Sequence, residues 1–434
     1  MKFSTHTLGC KVNLYESEAV INDLVSRGFE YGNFNDVCDV YIINTCTVTS
    51  TSDAKSRKVI RQAIRRNPKA IIVVMGCYAQ LNPNEVVSLE GVDIIIGTKN
   101  RNRVYDLIME RINSKQTINL VTDVFKYKEY EEIKVNRFSR HTRGFIKIQD
   151  GCENFCSYCA IPYARGGIKS RRAKDVIDEI KQMVASGVKE VVLAGINTGT
   201  YGQDTKEDNL ASLIDKLLTE VPELYRIRLS SIELMEVTDE LLTTIEKYQD
   251  KVAMHLHIPL QGGSDPTLER MNRRYTTSEY AKRIDDIRKI FPRIAITTDC
   301  LGGFVGETEE DFENSLSFIE TMQFSEMHVF PYSRRKNTRA DRMDGHLPEA
   351  VKKERTHKLI ELGHKMAQVY REQFRGEEFE VIVEDKKDNL WRAHTSNYIE
   401  VEFEADNIKE NDIVRIRLDE PNYPVSKATF LRKE

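Results

Sequence analysis

Apolar runs and amphipathic stretches alternate along the first hundred residues: KFSTHTLG, SEAVINDLVSRG, VYIINT, SDAKSRKVIRQAIRR, AIIVVMG and VDIIIG follow one another. Short continuous apolar runs separated by helix-period segments predict parallel strands joined by helical crossovers, so residues 1–111 read as an α/β domain with a parallel sheet. Residues 112–137, within and beside the polar stretch VFKYKEYEEIKVNRFSR, read as a linker. From 138 to 370 six apolar runs recur, each followed by a helical stretch: FIKIQ, EVVLAG, RIRLSS, AMHLHIPL, IAITTD and MHVFPY. Six repeats are too few for a complete eightfold barrel and predict an open, partial (β/α)6 barrel. After the long amphipathic AVKKERTHKLIELGHKMAQVYREQF the period changes to two in EFEVIVED, NYIEVEFE and DIVRIRLD, which predicts a small antiparallel β-barrel over 373–434.

Composition narrows the class without changing this outline. The 434 residues are 40% hydrophobic and 30% charged, with 22 Gly and 11 Pro, which excludes disordered and collagen-like chains. No apolar run approaches the roughly 18 residues of a membrane span. The first residues, MKFSTHTLGCKVN, lack the charged-then-apolar layout of an export signal, so the cytoplasm is the expected compartment. In a reducing compartment eight Cys point to metal ligands or redox centres before disulfides. The net charge of −4 means that any contact with nucleic acid must use local basic patches.

Three of the cysteines, Cys152, Cys156 and Cys159, stand as CxxxCxxC in GCENFCSYC, just after the first barrel strand. Loops at that end of barrel strands are where such folds place their chemistry. A structural zinc site would bring a fourth ligand at a recognisable spacing, and none follows nearby. Three thiolates on a four-iron cluster leave one iron open to a small molecule. Cys10, Cys46 and Cys77 follow STHTLG, VYIINT and IIVVMG, so each sits at the carboxyl end of a predicted strand. In an open parallel sheet those ends line one edge and can converge, although three separate core cysteines would give the same pattern.

The CxxxCxxC loop, with Tyr158 before its last Cys, on a sixfold β/α unit resembles the radical S-adenosylmethionine enzymes. The resemblance implies that the open iron chelates S-adenosylmethionine, whose reductive cleavage yields a 5′-deoxyadenosyl radical. It also places Gly195 and Asn197 (LAGINTG), Ser230 and Ser231 (RLSSIE), Gln261 and Ser264 (PLQGGSD) and Asp299 (TTDCLGG) in the pocket for that cofactor, beside Tyr158. TLGCKVNLYES, NTCTVT and MGCYAQ resemble the N-terminal domain of the methylthiotransferases, and the last segment resembles that family's RNA-binding TRAM domain. The family resemblance implies two [4Fe–4S] clusters, on Cys152, Cys156 and Cys159 and on Cys10, Cys46 and Cys77. It further implies two uses of S-adenosylmethionine, as methyl donor and as radical source. A tRNA substrate and an electron donor such as a flavodoxin or ferredoxin follow from it; oligomeric state does not. The form LGCKVN most resembles the branch acting on N6-threonylcarbamoyladenosine at position 37 of tRNA. The alternatives are N6-isopentenyladenosine in tRNA and an aspartate of a small-subunit ribosomal protein. Outside the family, the rival reading is a non-catalytic iron–sulfur protein that binds RNA or carries electrons.

One departure concerns charge. From residue 373 onward there are 10 Lys or Arg against 15 Asp or Glu, the wrong balance for an RNA-binding module. Binding there would need a face bearing Arg392, Arg415 and Arg417, or stacking by Trp391 and Tyr398. Stronger basic runs lie at 55–66, 169–174 and 333–339 and could form one RNA track. His255 and His257 share one face of a strand and are expected to point into the barrel, while Cys38 and Cys300 are expected in the core.

Overall fold

The computed structural model describes residues 1–135 and 143–434, so the expected junction at 137/138 lies outside the described residues. Six parallel strands form the first sheet, in the order Glu30–Tyr31, Lys2–Thr7, Val40–Thr45, Ile71–Gly76, Ile94–Ile95 and Ile118–Asn119. Alternate residues of the central strands feed two separate cores: Tyr41, Ile43, Ile72 and Val74 on one face, Val40, Ile42, Val73 and Met75 on the other. A strand buried on both faces must be apolar throughout, which is why VYIINT and IIVVMG lack the alternation of a surface strand.

Two three-stranded parallel sheets follow, Arg226–Leu229, Glu190–Ala194, Arg143–Lys147 and His255–His257, Ala295–Gly302, Glu326–Pro331. A parallel bridge from Ile227 to Val252 links them, giving six strands in sequence order around an open barrel. Ile146, Val191, Leu193, Ile227, Leu256 and Ile296 face the surrounding helices. The residues between them therefore face the lumen. Two of the helices have clear start signals: Thr276 with Glu279 and Thr308 with Asp311 form reciprocal N-caps. The 24-residue helix Glu349–Glu372 packs on the last strand, where Gly363 lies against Met327.

Residues Glu378–Lys433 form a closed five-stranded barrel. Its pairs are antiparallel except one: Glu400–Phe403 meets Ser426–Lys433 in parallel. That barrel stands against the amino ends of the central strands. Arg228 donates to the carbonyls of Thr395 and Ser396, each at 3.2 Å, and the Met254 amide donates to Ser396 Oγ at 3.0 Å. Tyr398, held at φ 66°, stacks on His255 at 4.5 Å while the Arg228 guanidinium covers its ring. No described helix is long and apolar enough to cross a membrane.

Candidate active site at the strand ends

Cys10, Cys46 and Cys77 follow the carboxyl ends of three neighbouring strands and are drawn together by backbone and side-chain ties. Asn13 donates to the carbonyls of Leu8 at 2.8 Å and Thr45 at 3.1 Å, which joins the segments leading to Cys10 and Cys46. Thr45 Oγ1 donates to Met75 O at 2.6 Å and accepts from the Ala79 amide, which ties in Cys77. Glycine immediately before the thiol makes the approach possible. A Cβ on Gly9 would stand 3.1 Å from Cys46 Cβ, and one on Gly76 would stand 2.5 Å from Thr45 O, both at positive φ. Burial pushes the Cys77 thiol up to about 12, with the Cys10 and Cys46 charges adding to it against the pull of Arg165.

The second triad lies on one loop. The Cys159 amide donates to Cys156 O at 2.9 Å, and Arg273 Nη1 reaches Cys156 Sγ at 3.4 Å. Arg273 is fixed by Glu233, Tyr275 and the carbonyl of Pro259. Burial pushes the Cys152 thiol up to about 11 and Cys159 higher still, each raised further by its neighbours' charge. Three neighbouring thiols on one loop, two of them with ionisation opposed by burial and by their neighbours' charge, make a good socket for a cationic metal cluster, whose charge reverses that penalty. Both donor sets thus fit iron–sulfur chemistry.

Beside Cys156 a small cleft is lined by Asn154, Glu233, Glu236, Asn272, Arg273 and Tyr275. Burial and the charge of Glu233 push the Glu236 carboxyl up to about 7. Asn197 is 3% exposed, and both polar atoms of its side chain lack a hydrogen-bond partner, although Glu236 lies close. A buried amide left open in this way marks a place where a ligand's polar groups can be met. Gly195 lies nearby, where Gln149 Oε1 accepts from the amides of Ile196 and Asn197 at 3.0 and 3.1 Å. Ser230 shares a 2.6 Å hydrogen bond with Thr198, and the Ser231 carbonyl accepts from the Thr198 amide. These four expected residues come together. Gln261, at φ 70°, is joined to Asp299 by backbone at the other sheet. Tyr158 packs edge-on against Phe304. The Ser264 hydroxyl lies 2.9 Å from Thr267 Oγ1 and 3.5 Å from Asp311, on the loop that follows Gln261.

The two triads are linked by a network the sequence does not announce. Arg165, six residues beyond Cys159, donates to Asn13 at 2.7 Å and to Glu16 and Asp150 at 2.8 and 3.1 Å. Lys147 and Arg101 complete a fully buried cluster around Glu16. Burial pushes the Glu16 carboxyl up, but Arg101, Arg165 and Lys147 outweigh it and hold it at about 2. Lys11, next to Cys10, makes no hydrogen bond or ion pair among the described residues. Burial, then the charges of Arg228 and Arg143, pull its ammonium down to about 8. Asn13 and Lys11 stand within the GCKVN motif, whereas Arg165, Glu16 and Arg273 carry no signal beyond being polar letters.

Several expectations about RNA are corrected. Trp391 is buried in the terminal barrel with Nε1 on Ala405 O, and Tyr398 is stacked between His255 and Arg228, so neither ring is free for a base. Arg392, Arg415 and Arg417 are paired with acidic neighbours of the same barrel. In the 169–174 run Lys169 and Arg171 are buried and internally bonded. The other two runs meet: Arg335 is buried against Asp53 and Thr47, and Ser333 touches Ser50. Lys55, Lys58, Arg61, Arg65, Arg334, Lys336 and Arg339 remain exposed around that junction. His255 is buried in the lumen as expected, and His257, Asp299 and His328 gather there with ligand atoms within 4.8 Å of one another. Cys38 and Cys300 are buried in the core.

Residues 2–97 match the Uncharacterized protein family UPF0004, and residues 146–319 match the Radical SAM superfamily. The chain is 44% identical to "Threonylcarbamoyladenosine tRNA methylthiotransferase MtaB" of Bacillus subtilis, over 98% of this chain and 96% of that one. It is 36% identical to "tRNA-2-methylthio-N(6)-dimethylallyladenosine synthase" of Thermoanaerobacter pseudethanolicus, over 96% and 90%. Among solved structures it shares the fold of the radical S-adenosylmethionine methyltransferase TsrM from Kitasatospora setae, with a TM-score of 0.58, 14% identity and coverage of 78% and 76%. At these identities over nearly its whole length, the chain belongs to the tRNA methylthiotransferase family of radical S-adenosylmethionine enzymes.

Proposed function

We propose that this enzyme converts N6-threonylcarbamoyladenosine at position 37 of tRNA to its 2-methylthio derivative, in the cytoplasm. The observation that carries the reading is the 44% identity over nearly full length to a relative bearing that name, against 36% for the dimethylallyladenosine relative. In this reading Cys152, Cys156 and Cys159 hold one [4Fe–4S] cluster in the barrel domain, proposed over 138–370, and Cys10, Cys46 and Cys77 a second in the N-terminal domain. The sheet of that domain continues to Ile118–Asn119, past the expected bound at 111 and into the expected linker. Bound there, the clusters and S-adenosylmethionine supply the methylated sulfur and the radical that removes hydrogen from an unactivated C–H bond, with electrons from a flavodoxin or ferredoxin.

The chain's own residues do the positioning. Arg273, braced by Glu233, donates to Cys156 and sets the orientation of that loop. The open amide of Asn197, with Gly195, Ser230 and Ser231, meets the polar groups of S-adenosylmethionine, and Gln261 and Asp299 close the far side. Tyr158 backs the loop against Phe304. Asn13 and Arg165 couple the two triads so that both face one substrate. The exposed basic residues near Arg335 hold the phosphates of the anticodon arm. Nucleoside analysis of tRNA from cells lacking the gene tests the reading. The 2-methylthio derivative of threonylcarbamoyladenosine should vanish and its precursor accumulate; loss of the dimethylallyl derivative instead would overturn it.

A further inference from the structure

We infer that His257, Asp299 and His328 form a binding site for one transition-metal dication of the zinc class, in the lumen of the central barrel and separate from both cysteine triads. The inference stands whichever nucleoside of tRNA the enzyme modifies.

Three neighbouring strands bring the residues together. Asp299 and His328 are direct partners in the parallel pairing of Ala295–Gly302 with Glu326–Pro331, and His257 is paired with Thr297, two residues before Asp299. Leu256, Ile296 and Met327 point to the surrounding helices, so His257, Thr297, Asp299 and His328 share the opposite, lumen-facing side. The ligand atoms of His257, Asp299 and His328 lie within 4.8 Å of one another, and the two imidazole rings stand 5.7 Å apart.

The spacing suits a shared ion better than a hydrogen-bonded pair. His257 Nε2 is 3.4 Å from Asp299 Oδ1. A charge-assisted hydrogen bond would draw them to roughly 2.7–2.9 Å. Two ligands held at about 2.0–2.1 Å by one tetrahedral zinc stand about 3.4 Å from each other. His328 is exposed and has room to turn its ring toward the other two.

The donors are also uncommitted. Among the described residues the Asp299 carboxylate has no partner but His257, and the His328 imidazole makes no hydrogen bond. The other nitrogen of His257 is held from behind: Nδ1 lies 2.9 Å from Thr297 Oγ1, which lies 2.9 Å from His255 Nε2. Burial holds the His255 imidazole well below its ordinary pKa, so the ring is neutral and can accept the Thr297 hydroxyl. Thr297 Oγ1 then accepts from His257 Nδ1–H, and the lone pair of Nε2 is turned toward Asp299 without moving a heavy atom. A metal-bound histidine is oriented by such a partner on its second nitrogen.

Two imidazoles with one carboxylate suit zinc and its neighbours, whereas Mg2+ and Ca2+ take oxygen ligands. Three protein ligands leave a coordination position facing the lumen, for water or for an oxygen of the molecule held there. Binding the ion through one oxygen does not remove Asp299 from the pocket proposed for S-adenosylmethionine, because a carboxylate has two.

The test uses the full chain with its clusters reconstituted, stripped of loose metal and then given Zn2+. Elemental analysis should find one zinc per chain retained beside the cluster iron. Zinc-edge X-ray absorption should show nitrogen and oxygen neighbours at about 2.0–2.2 Å and no sulfur at about 2.3 Å. His328→Ala and His257→Gln should release the zinc and keep the iron. Thr297→Val keeps all three ligands and should weaken zinc binding about 10- to 100-fold in competition with a chelator. Zinc that washes off the wild type, zinc ligated by sulfur, or zinc retained undiminished by His328→Ala overturns the inference. If His257→Gln loses iron as well, through misfolding, the result on the exposed His328 decides.

Discussion

The two cysteine triads reach similar ends by opposite routes. Cys152, Cys156 and Cys159 lie on one loop of eight residues, whereas Cys10, Cys46 and Cys77 come from three strand ends spread over the first sheet. The order of the three thiols is fixed within the loop, and the loop as a whole is braced by one distant segment: Ser157 donates to the carbonyls of Arg270 and Met271, Asn272 donates to Phe155 O and Arg273 to Cys156 Sγ. The dispersed triad needs Asn13, Thr45, Gly9 and Gly76 to hold its segments together. A contiguous site is set by local sequence, while a dispersed one is set by topology, so it should fail whenever the sheet edge is disturbed.

The largest effect expected from breaking this comparison is on metal content. Iron should approach about eight atoms per chain after reconstitution, from two four-iron clusters, and fall to about four when either triad is replaced by Ala. Iron assay on the two triple variants decides it, and unchanged iron in either would remove that triad's assignment. Division of labour comes next. The variant lacking Cys10, Cys46 and Cys77 should still release 5′-deoxyadenosine under reduction and form no methylthio product, while the variant lacking the barrel triad should do neither. Product from the first variant would end the sulfur-donor role proposed for the sheet triad.

A smaller effect concerns the bridge between the triads. Arg165→Met leaves Glu16 and Asp150 short of a partner in a fully buried cluster, which should cost about 3–5 kcal/mol in urea unfolding. The Glu16 carboxyl is held at about 2, below its ordinary 4.5. Its pairing therefore stabilises the fold above about pH 4.5, and that contribution is lost as pH falls through about 2. The stability gap between wild type and Arg165→Met should narrow over that window, and a gap independent of pH would assign the loss to packing. The smallest expected effect is on RNA affinity. Lys336→Ala with Arg339→Ala should flatten the dependence of log affinity on log salt by roughly 1.5–2 units, whereas Arg415→Ala with Arg417→Ala should leave it unchanged. The reverse result would make the terminal barrel the phosphate-binding region.

Much of this was legible in the residue pattern, for reasons that also explain what was not. VYIINT and IIVVMG read as buried strands because nothing polar interrupts them, and CxxxCxxC reads as a site because its geometry is local. The 169–174 run was expected in an RNA track, yet Lys169 and Arg171 are buried: Lys169 turns back on the carbonyls of Arg165 and Gly167, and Arg171 meets Glu179 of the next helix and the more distant Glu132, pairings that a count of charges does not reveal. Trp391 and Tyr398 read as available for stacking because a period-two pattern does not say which face of a small barrel turns inward, as Trp391 does, or which part docks on a neighbour, as Tyr398 does. Arg165 and Glu16 acquire their roles only where one domain packs against another, which no window of sequence contains.

The seating of Tyr398 on His255, with Thr395 and Ser396 capping Arg228, stops the central barrel at its base. Traffic leaving by an end of the lumen would then use the strand-end side, where the cleft beside Cys156 and the exposed basic residues also lie. Spent nucleoside and amino acid would share a doorway with the RNA. Turnover would therefore be ordered by departure as much as by arrival: a tRNA that lingers would detain the small molecules behind it.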